Sequence, residues 1–329
     1  MIRFALLRIG LGALVVWGVY TLTFFAVNVA PGSPFSDLLL ETGQDPQQVA
    51  QLEARWGYDR PIAERYAVQL RSMFWSDADG LTFDLGYSIS RQAPIATFLA
   101  APITNTVLLA SAALALDFAL GILLGVISAL RSGTRFDRAL SVGTLFVYSM
   151  PAFWLALVLV YALGVSARLL PTGGMTSPGV TWHADFASFA DFLRHLVLPA
   201  LVLGVGGAAA TARFQRAALI EVLAHDYVRA ARARGLTESA IVWRHALQNA
   251  LAPVLTLFGL ALPFLVSGSV IVETVFSWPG MGRELVAAVT RRDDLLVTAI
   301  TLVSSTLVVA GSIVADILHA LVDPRVTLR

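Results

Sequence analysis

Hydrophobic positions in this chain fall in long, nearly unbroken runs, and six of these hold almost no Asp, Glu, Lys or Arg. A membrane-spanning helix needs about 20 largely apolar residues. The first run follows Arg8 and extends from Ile9 past Ala30; the second covers Ile103–Leu130 and is interrupted by Asp117. The third fits within Ala139–Ala167, the fourth is a shorter stretch at His195–Ala212, and the last two lie in Leu247–Val272 and Leu295–Leu321. The first exceeds the usual apolar core of a signal peptide, about 7–15 residues, and reads as a retained helix. The pattern predicts an all-α membrane protein with six transmembrane helices.

Two hydrophilic segments are too long to be plain connections and divide the chain into 1–30, a loop subdomain 31–102, and a core 103–329 that contains the polar segment 213–249. In the first loop, Asp45-Pro46-Gln47-Gln48 offers a cap and a proline at the first helical position. Gly57 can end that helix, and Pro61 can start another bearing Ile62, Tyr66, Leu70 and Met73 or Phe74. Leu81–Tyr87 alternates like a strand or extended segment. This loop can be a lid over the helix ends or a docking surface for an external partner. In segment 213–249, Glu221–Arg234 can form a helix ended by Gly235, and Thr237 can cap a second with Glu238 in its first turn.

Composition narrows the function. Of 329 residues, 57% are hydrophobic and 14% charged, with mean hydropathy +0.73, too little charge for a water-facing surface. All 23 basic residues are arginine, so there is no P-loop lysine and no Schiff-base chemistry. With no cysteine, thiolate catalysis and cysteine–metal sites are also absent. The five histidines show no paired ligand spacing. No catalytic residue, metal site or bound cofactor is expected. Arginine placement sets the orientation: segments 1–8, 131–138, 213–249 and 322–329 hold 13 arginines against five acids, which predicts cytoplasmic termini.

Within 213–249, Ala230, Ala231 and Gly235 lie among Arg229, Arg232 and Arg234. Residues four apart share a helical face, so Ala231 and Gly235 would present a smooth strip that fits a groove on another protein. The plainer reading is that the arginines enforce topology and the alanines favour helix.

The run Asp226-Tyr227-Val228-Arg229-Ala230-Ala231-Arg232-Ala233-Arg234-Gly235 resembles the EAA loop that couples ABC-importer permeases to their ATPases. With Arg244–Pro253 it is similar to the dipeptide/oligopeptide branch of that family. Further matches are Pro31-Gly32-Ser33-Pro34, Asp84–Ser88, Tyr148–Trp154, His195–Ala200, Glu273–Arg283 and Asp323-Pro324-Arg325. Arg229 replaces the general motif's glutamate, Ser33 replaces an acidic residue, and Asp294-Leu295 replaces a Tyr-Pro-like pair.

The resemblance implies a type I permease fold in the bacterial inner membrane. The implied partners are a second permease, two cytoplasmic ATPases that carry ATP and Mg2+, and an extracytoplasmic substrate-binding protein; no nucleic acid is implied. It makes Asp226, Tyr227, Arg229–Arg232, Arg234 and Gly235 the coupling element. Phe276, Trp278, Pro279 and Gly280 become an outer gate or binding-protein contact, with Trp278 also suited to an interfacial aromatic belt. Pro151 and Pro199 can kink pathway helices, and Asp117 is a candidate pathway charge. Asp316 suits local pairing near the cytoplasmic surface. The glycines of Gly121-x3-Gly125 and 204–207 suit close helix packing. Two rival readings are a proton-coupled carrier relayed by Asp117 and Asp316, and an intramembrane serine protease at Ser267-Gly268-Ser269, which lacks the accompanying motif.

Overall fold

A computed structural model describes residues 2–29, 35, 46–76, 80–81, 83–183, 185–267 and 269–322. The Pro31–Pro34 turn, the Asp45 cap, Gly268 and the Asp323–Arg325 motif fall outside these residues.

Among the described residues, four helices are long and apolar enough to cross a bilayer: α1 (Ile2–Val29), α4 (Ile95–Leu130), α7 (Phe186–Leu223) and α14 (Asp294–Val322). Between α1 and α4 lie α2 (Pro46–Arg55) and α3 (Ile62–Phe74). At 1.5 Å per residue, α4 and α7 run about 54 and 57 Å, well beyond a hydrocarbon core of about 30 Å. Helix α7 starts from a reciprocal cap in which Asp185 accepts from the Ser188 amide at 2.7 Å and Ser188 Oγ accepts from the Asp185 amide at 3.0 Å.

The core of the bundle is the pairing of α4 with α7. The two run parallel, because Gly204 meets Ala113, Gly207 meets Asp117, Gly121 meets Thr211 and Gly125 meets Gln215. A Cβ at Gly121 would lie 2.5 Å from Thr211 Cβ, and one at Gly125 2.6 Å from Gln215 Cβ. Both glycines are required by the closeness of the two backbones, which is how small residues serve helix association in lipid. Helix α1 runs antiparallel to α14: Gly12 lies against Val309, and Arg8 pairs with Asp316 at 2.9 Å.

Two expected spans are broken. The run Ala139–Ala167 becomes α5 (Arg135–Tyr148) and α6 (Ala152–Leu159), the latter continued in π geometry through Val160–Ser166, with a bend of 104° between the two arms. Pro151 supplies no backbone N–H and keeps Met150 out of the helical region, so the ladder stops there. The run Leu247–Val272 is divided among α10 (Leu247–Ala250), α11 (Ala252–Ser267) and α12 (Val270–Val275). At about 24 Å, α11 alone falls short of the hydrocarbon core. The shorter boundaries expected for the second and fourth spans also give way, to α4 and α7.

The described residues of the first loop are folded. Helix α3 packs on α1, with Tyr66 stacked on Phe25 and edge-on to Phe24. The extended stretch expected over Leu81–Tyr87 is instead divided between two minimal hairpins, Trp75–Ser76 with Gly80–Leu81 and Tyr87–Ser88 with Ala93–Pro94. Asp293, fully buried, ties this loop to α14: its Oδ2 accepts from Ser88 Oγ at 2.6 Å, from Ser90 Oγ at 2.7 Å and from the Ser90 amide at 2.9 Å.

Candidate functional site: an arginine-rimmed elbow

The helix expected over Glu221–Arg234 is two helices. α7 ends at Leu223, His225 adopts an extended conformation (ψ 151°), and α8 (Asp226–Ala233) starts anew in another direction. Asp226 favours that start by lying at the positive end of the helix dipole, and it pairs with Arg229 one turn on.

Gly235 then terminates α8 with φ +79°, a left-handed conformation that a side chain would strain. Its amide donates to the Arg232 carbonyl at 2.9 Å, and the Leu236 amide donates to the Ala231 carbonyl at 3.3 Å. These are the two bonds of a Schellman ending. Gly235 thus stands beyond the helix and does not extend the Ala231 face; the expected smooth strip stops at the turn. Thr237 caps α9 (Glu238–Ala240), accepting from the Ala240 amide at 3.3 Å, and the chain continues through the π turn Ile241–Ala246 into α10. Arg232 bridges the turn, donating from Nε to Glu238 Oε1 at 2.7 Å and from Nη2 to Oε2 at 3.2 Å. This forked contact holds the Glu238 carboxyl below the usual glutamate range and raises Arg232.

The elbow has a dry side and a wet side. Val242, Ala246, Leu247 and Ala250 pack against Val126 and Ala129 of α4 and Leu219 and Val222 of α7. Val228, fully buried, faces inward as well. On the wet side Arg229, Ala230, Arg232, Arg234 and Gly235 are exposed and Ala231 is half-buried. Tyr227, Leu236 and Trp243 add exposed apolar surface, and Asn249 Nδ2 donates to the Tyr227 hydroxyl at 2.9 Å. Cationic side chains ringing small and aromatic ones make a surface suited to another protein, because Arg, Tyr and Trp are the residues that dominate protein interfaces.

A second cluster, invisible in the motif reading, fastens the base of the elbow. Buried Asp137 at the start of α5 accepts from Arg216 Nε and Nη2, each at 2.8 Å, from the Gly133 amide at 3.0 Å, and from Ser128 Oγ. One carboxylate therefore joins the ends of α4, α5 and α7.

At the other end of the bundle, the Phe276–Gly280 turn is organised by Glu273, the first residue of the Glu273–Arg283 motif. Its carboxylate is fully buried; Oε1 accepts from Thr106 Oγ1 at 2.7 Å and Ser269 Oγ at 2.8 Å. Oε2 accepts from the amides of Gly282 at 2.7 Å and Arg283 at 3.1 Å, at the start of α13 (Met281–Thr290). A Cβ at Gly280 would lie 2.5 Å from Glu273 Cδ. Trp278 is fully buried, donating from Nε1 to the Asn105 carbonyl at 3.0 Å, while Asn105 Nδ2 donates to the Pro279 carbonyl at 2.9 Å. The expectation of a Trp278 belt at the lipid interface is therefore corrected: its ring packs against Leu109, Phe192 and Ala200. Phe276 is equally buried, Gly280 is buried and Pro279 is half-buried, so neither aromatic ring is offered to an external protein.

The remaining candidates stay apart. Asp117 sits between α4 and α7, where its Oδ1 accepts from Thr211 Oγ1 at 2.8 Å and a side chain on Gly207 would overlap its carboxylate. Pro199 is buried inside α7, and Pro151 is exposed at the α5–α6 bend. Asp316 is paired with Arg8.

The family model for "binding-protein-dependent transport system inner membrane component" matches residues 121–328. A di/tripeptide transport system permease protein, DppB, of Pseudomonas aeruginosa is 38% identical over 99% of both chains. The oligopeptide transport system permease protein AppB of Bacillus subtilis is 35% identical over 94% of both, and the dipeptide permease DppB of Escherichia coli K12 is 34% identical over 99% of both. Among solved structures, a chain of the inward-facing MetNI methionine ABC transporter superposes with a TM-score of 0.54 at 19% identity, covering 70% of this chain and 98% of that one. That likeness gives the fold. These matches leave no support for the proton-carrier reading of Asp117 and Asp316.

Proposed function

We propose, for a chain that belongs to the family of binding-protein-dependent transport system inner membrane components, that it forms with a second permease the membrane pathway of an ATP-driven importer of short peptides. The peptide assignment rests on the names of the relatives that match nearly end to end. Its partners are the homologous second permease, two cytoplasmic ATPases and an extracytoplasmic binding protein that delivers cargo. ATP and Mg2+ reside on the ATPases. The chain spans the membrane six times with both termini cytoplasmic, the α5–α6 pair supplying the third crossing and α11–α12 the fifth. The elbow then faces the ATPases on the arginine-rich side.

The observation that carries this reading is the elbow itself. Its Gly235 ending and the Arg232–Glu238 fork fix the angle between α8 and α9, and its dry side is packed onto the ends of α4 and α7. An element so held moves as a unit with the spans beneath it, which is what transmission of an ATPase dimer's closure to a pathway requires. The second permease, the ATPases and the binding protein can be reconstituted with this chain in vesicles. Uptake of a labelled dipeptide that needs ATP and the ATPases is expected; uptake driven by a proton gradient without ATP would overturn the proposal.

A further inference from the structure

The end of α1, the first loop with its helix α3, and the start of α14 line an open cavity of about 510 Å3, within the usual range for small-molecule sites. Its walls carry charges of both signs. Arg55 and Arg65 come from α2 and α3, Arg60 (paired with Glu64) and Asp84 (accepting from the Gly86 amide) from the loop, and Asp294 from the first turn of α14. The Arg65 guanidinium lies 4.0 Å over the Tyr58 ring, and the Tyr58 hydroxyl reaches Asp294 Oδ2 at 3.5 Å, a long contact. Among the described residues no carboxylate lies within ion-pair distance of Arg55 or Arg65. The neighbouring Asp293 is saturated by Ser88 and Ser90, whereas Asp294 makes only the long Tyr58 side-chain hydrogen bond among the described residues, with the Arg65 and Arg292 charges close enough to act on it. Asn28 also lines the cavity, and its Oδ1 is buried without a hydrogen-bond partner.

Besides Asp84 of the loop, the open acceptors come from α1 and α14, the open donors from the loop helices, and the rings of Trp56 and Tyr58 lie among them. We propose that this cavity binds the zwitterionic backbone of a di- or tripeptide, its ammonium at Asp294 and Asn28 Oδ1 and its carboxylate at Arg55 and Arg65. A tripeptide spans at most about 10 Å, a length suited to such a cavity. Charged hydrogen bonds at both ends would read the free termini, and the aromatic rings would accept varied side chains. The inference rests on the peptide reading above and adds to it a site on the permease itself.

The test uses the assembled transporter without its binding protein, with Ala-Ala as the probe and isothermal titration calorimetry as the readout. Saturable binding of Ala-Ala is expected, weakened at least tenfold for N-acetyl-Ala-Ala and for Ala-Ala amide. Phosphoethanolamine should not compete, which separates a peptide from a lipid headgroup. Asp294→Asn and Arg65→Gln should each weaken binding about tenfold. Arg55→Gln, at an exposed position with no described ion pair, should weaken it without a folding penalty. Absence of saturable binding, equal binding of blocked and free peptides, effective competition by phosphoethanolamine, or unchanged binding in Arg55→Gln together with Arg65→Gln would overturn the inference. ATP-driven dipeptide uptake by the complete system, measured alongside, separates the two readings. If uptake is intact but the cavity is silent, only this site is lost; if peptide uptake is absent, the functional reading itself fails.

Discussion

Removing the Glu273 carboxylate should loosen one end of the bundle in a way that can be calculated. The group is fully buried and accepts four hydrogen bonds, two from hydroxyls and two from backbone amides of the α13 start. In Glu273→Ala the Thr106 and Ser269 hydroxyls can rotate toward other acceptors, but the Gly282 and Arg283 amides cannot. Each buried donor left unsatisfied costs about 1–3 kcal/mol, so the two together cost roughly 4 kcal/mol. At roughly 2–4 °C per kcal/mol in larger domains, the unfolding midpoint falls by about 10 °C. Glu273→Gln keeps an oxygen for the two amides and turns its NH2 toward the hydroxyls, which can accept, so its midpoint should fall by no more than about 3 °C on the same scale. Intrinsic-fluorescence melting of the purified transporter measures both. Equal midpoints for wild type and Glu273→Ala would refute the reasoning, as would a glutamine variant as damaged as the alanine one.

Gly235→Trp forces a bulky side chain into φ +79° and should leave the complex assembled and hydrolysing ATP while dipeptide uptake falls at least tenfold; normal coupled uptake would contradict the lever account. Gly207→Ala should destabilise through overlap with the Asp117 carboxylate, and the penalty should shrink in an Asp117→Ala background; additive effects in that double-mutant cycle would show that the two do not touch. The Arg232–Glu238 fork carries a pH signature. Because the folded Glu238 carboxyl sits below its usual value, the fork's contribution is complete above that value and disappears as pH falls through the lowered one. Amide exchange in the 234–240 turn, measured relative to Glu238→Gln, should therefore lose its protection only in acid; a pH-independent difference would argue against the fork.

The membrane class, the long spans and the elbow were legible because each leaves a local signature. Arginine with alanine and glycine at fixed offsets writes the elbow, and Thr237 with Glu238 writes the restart after it. The glycines of α4 and α7 announced close packing, although the partner of each had to come from the structure. The 104° bend was less legible: hydropathy counts apolar residues and is blind to the backbone hydrogen bond that Pro151 removes. Splitting the expected 221–234 helix at His225 had no breaker residue to announce it. The carboxylate clusters were illegible for another reason. Glu273 meets Thr106 across 167 positions and Asp293 meets Ser88 across 205, and such pairings depend on tertiary approach alone. Trp278 shows the same effect in reverse, since a tryptophan beside a span suits the interface equally well until Asn105 is seen accepting its N–H.

Contact between the elbow and the ATPases on the cytoplasmic side can be measured directly, because the chain contains no cysteine. With a single cysteine placed by Ala230→Cys at the exposed rim, a membrane-impermeant maleimide should label vesicles only when the cytoplasmic face is outward. Adding the ATPase subunits should then protect the site. Labelling from the opposite face, or undiminished labelling in the fully assembled transporter, would contradict the account.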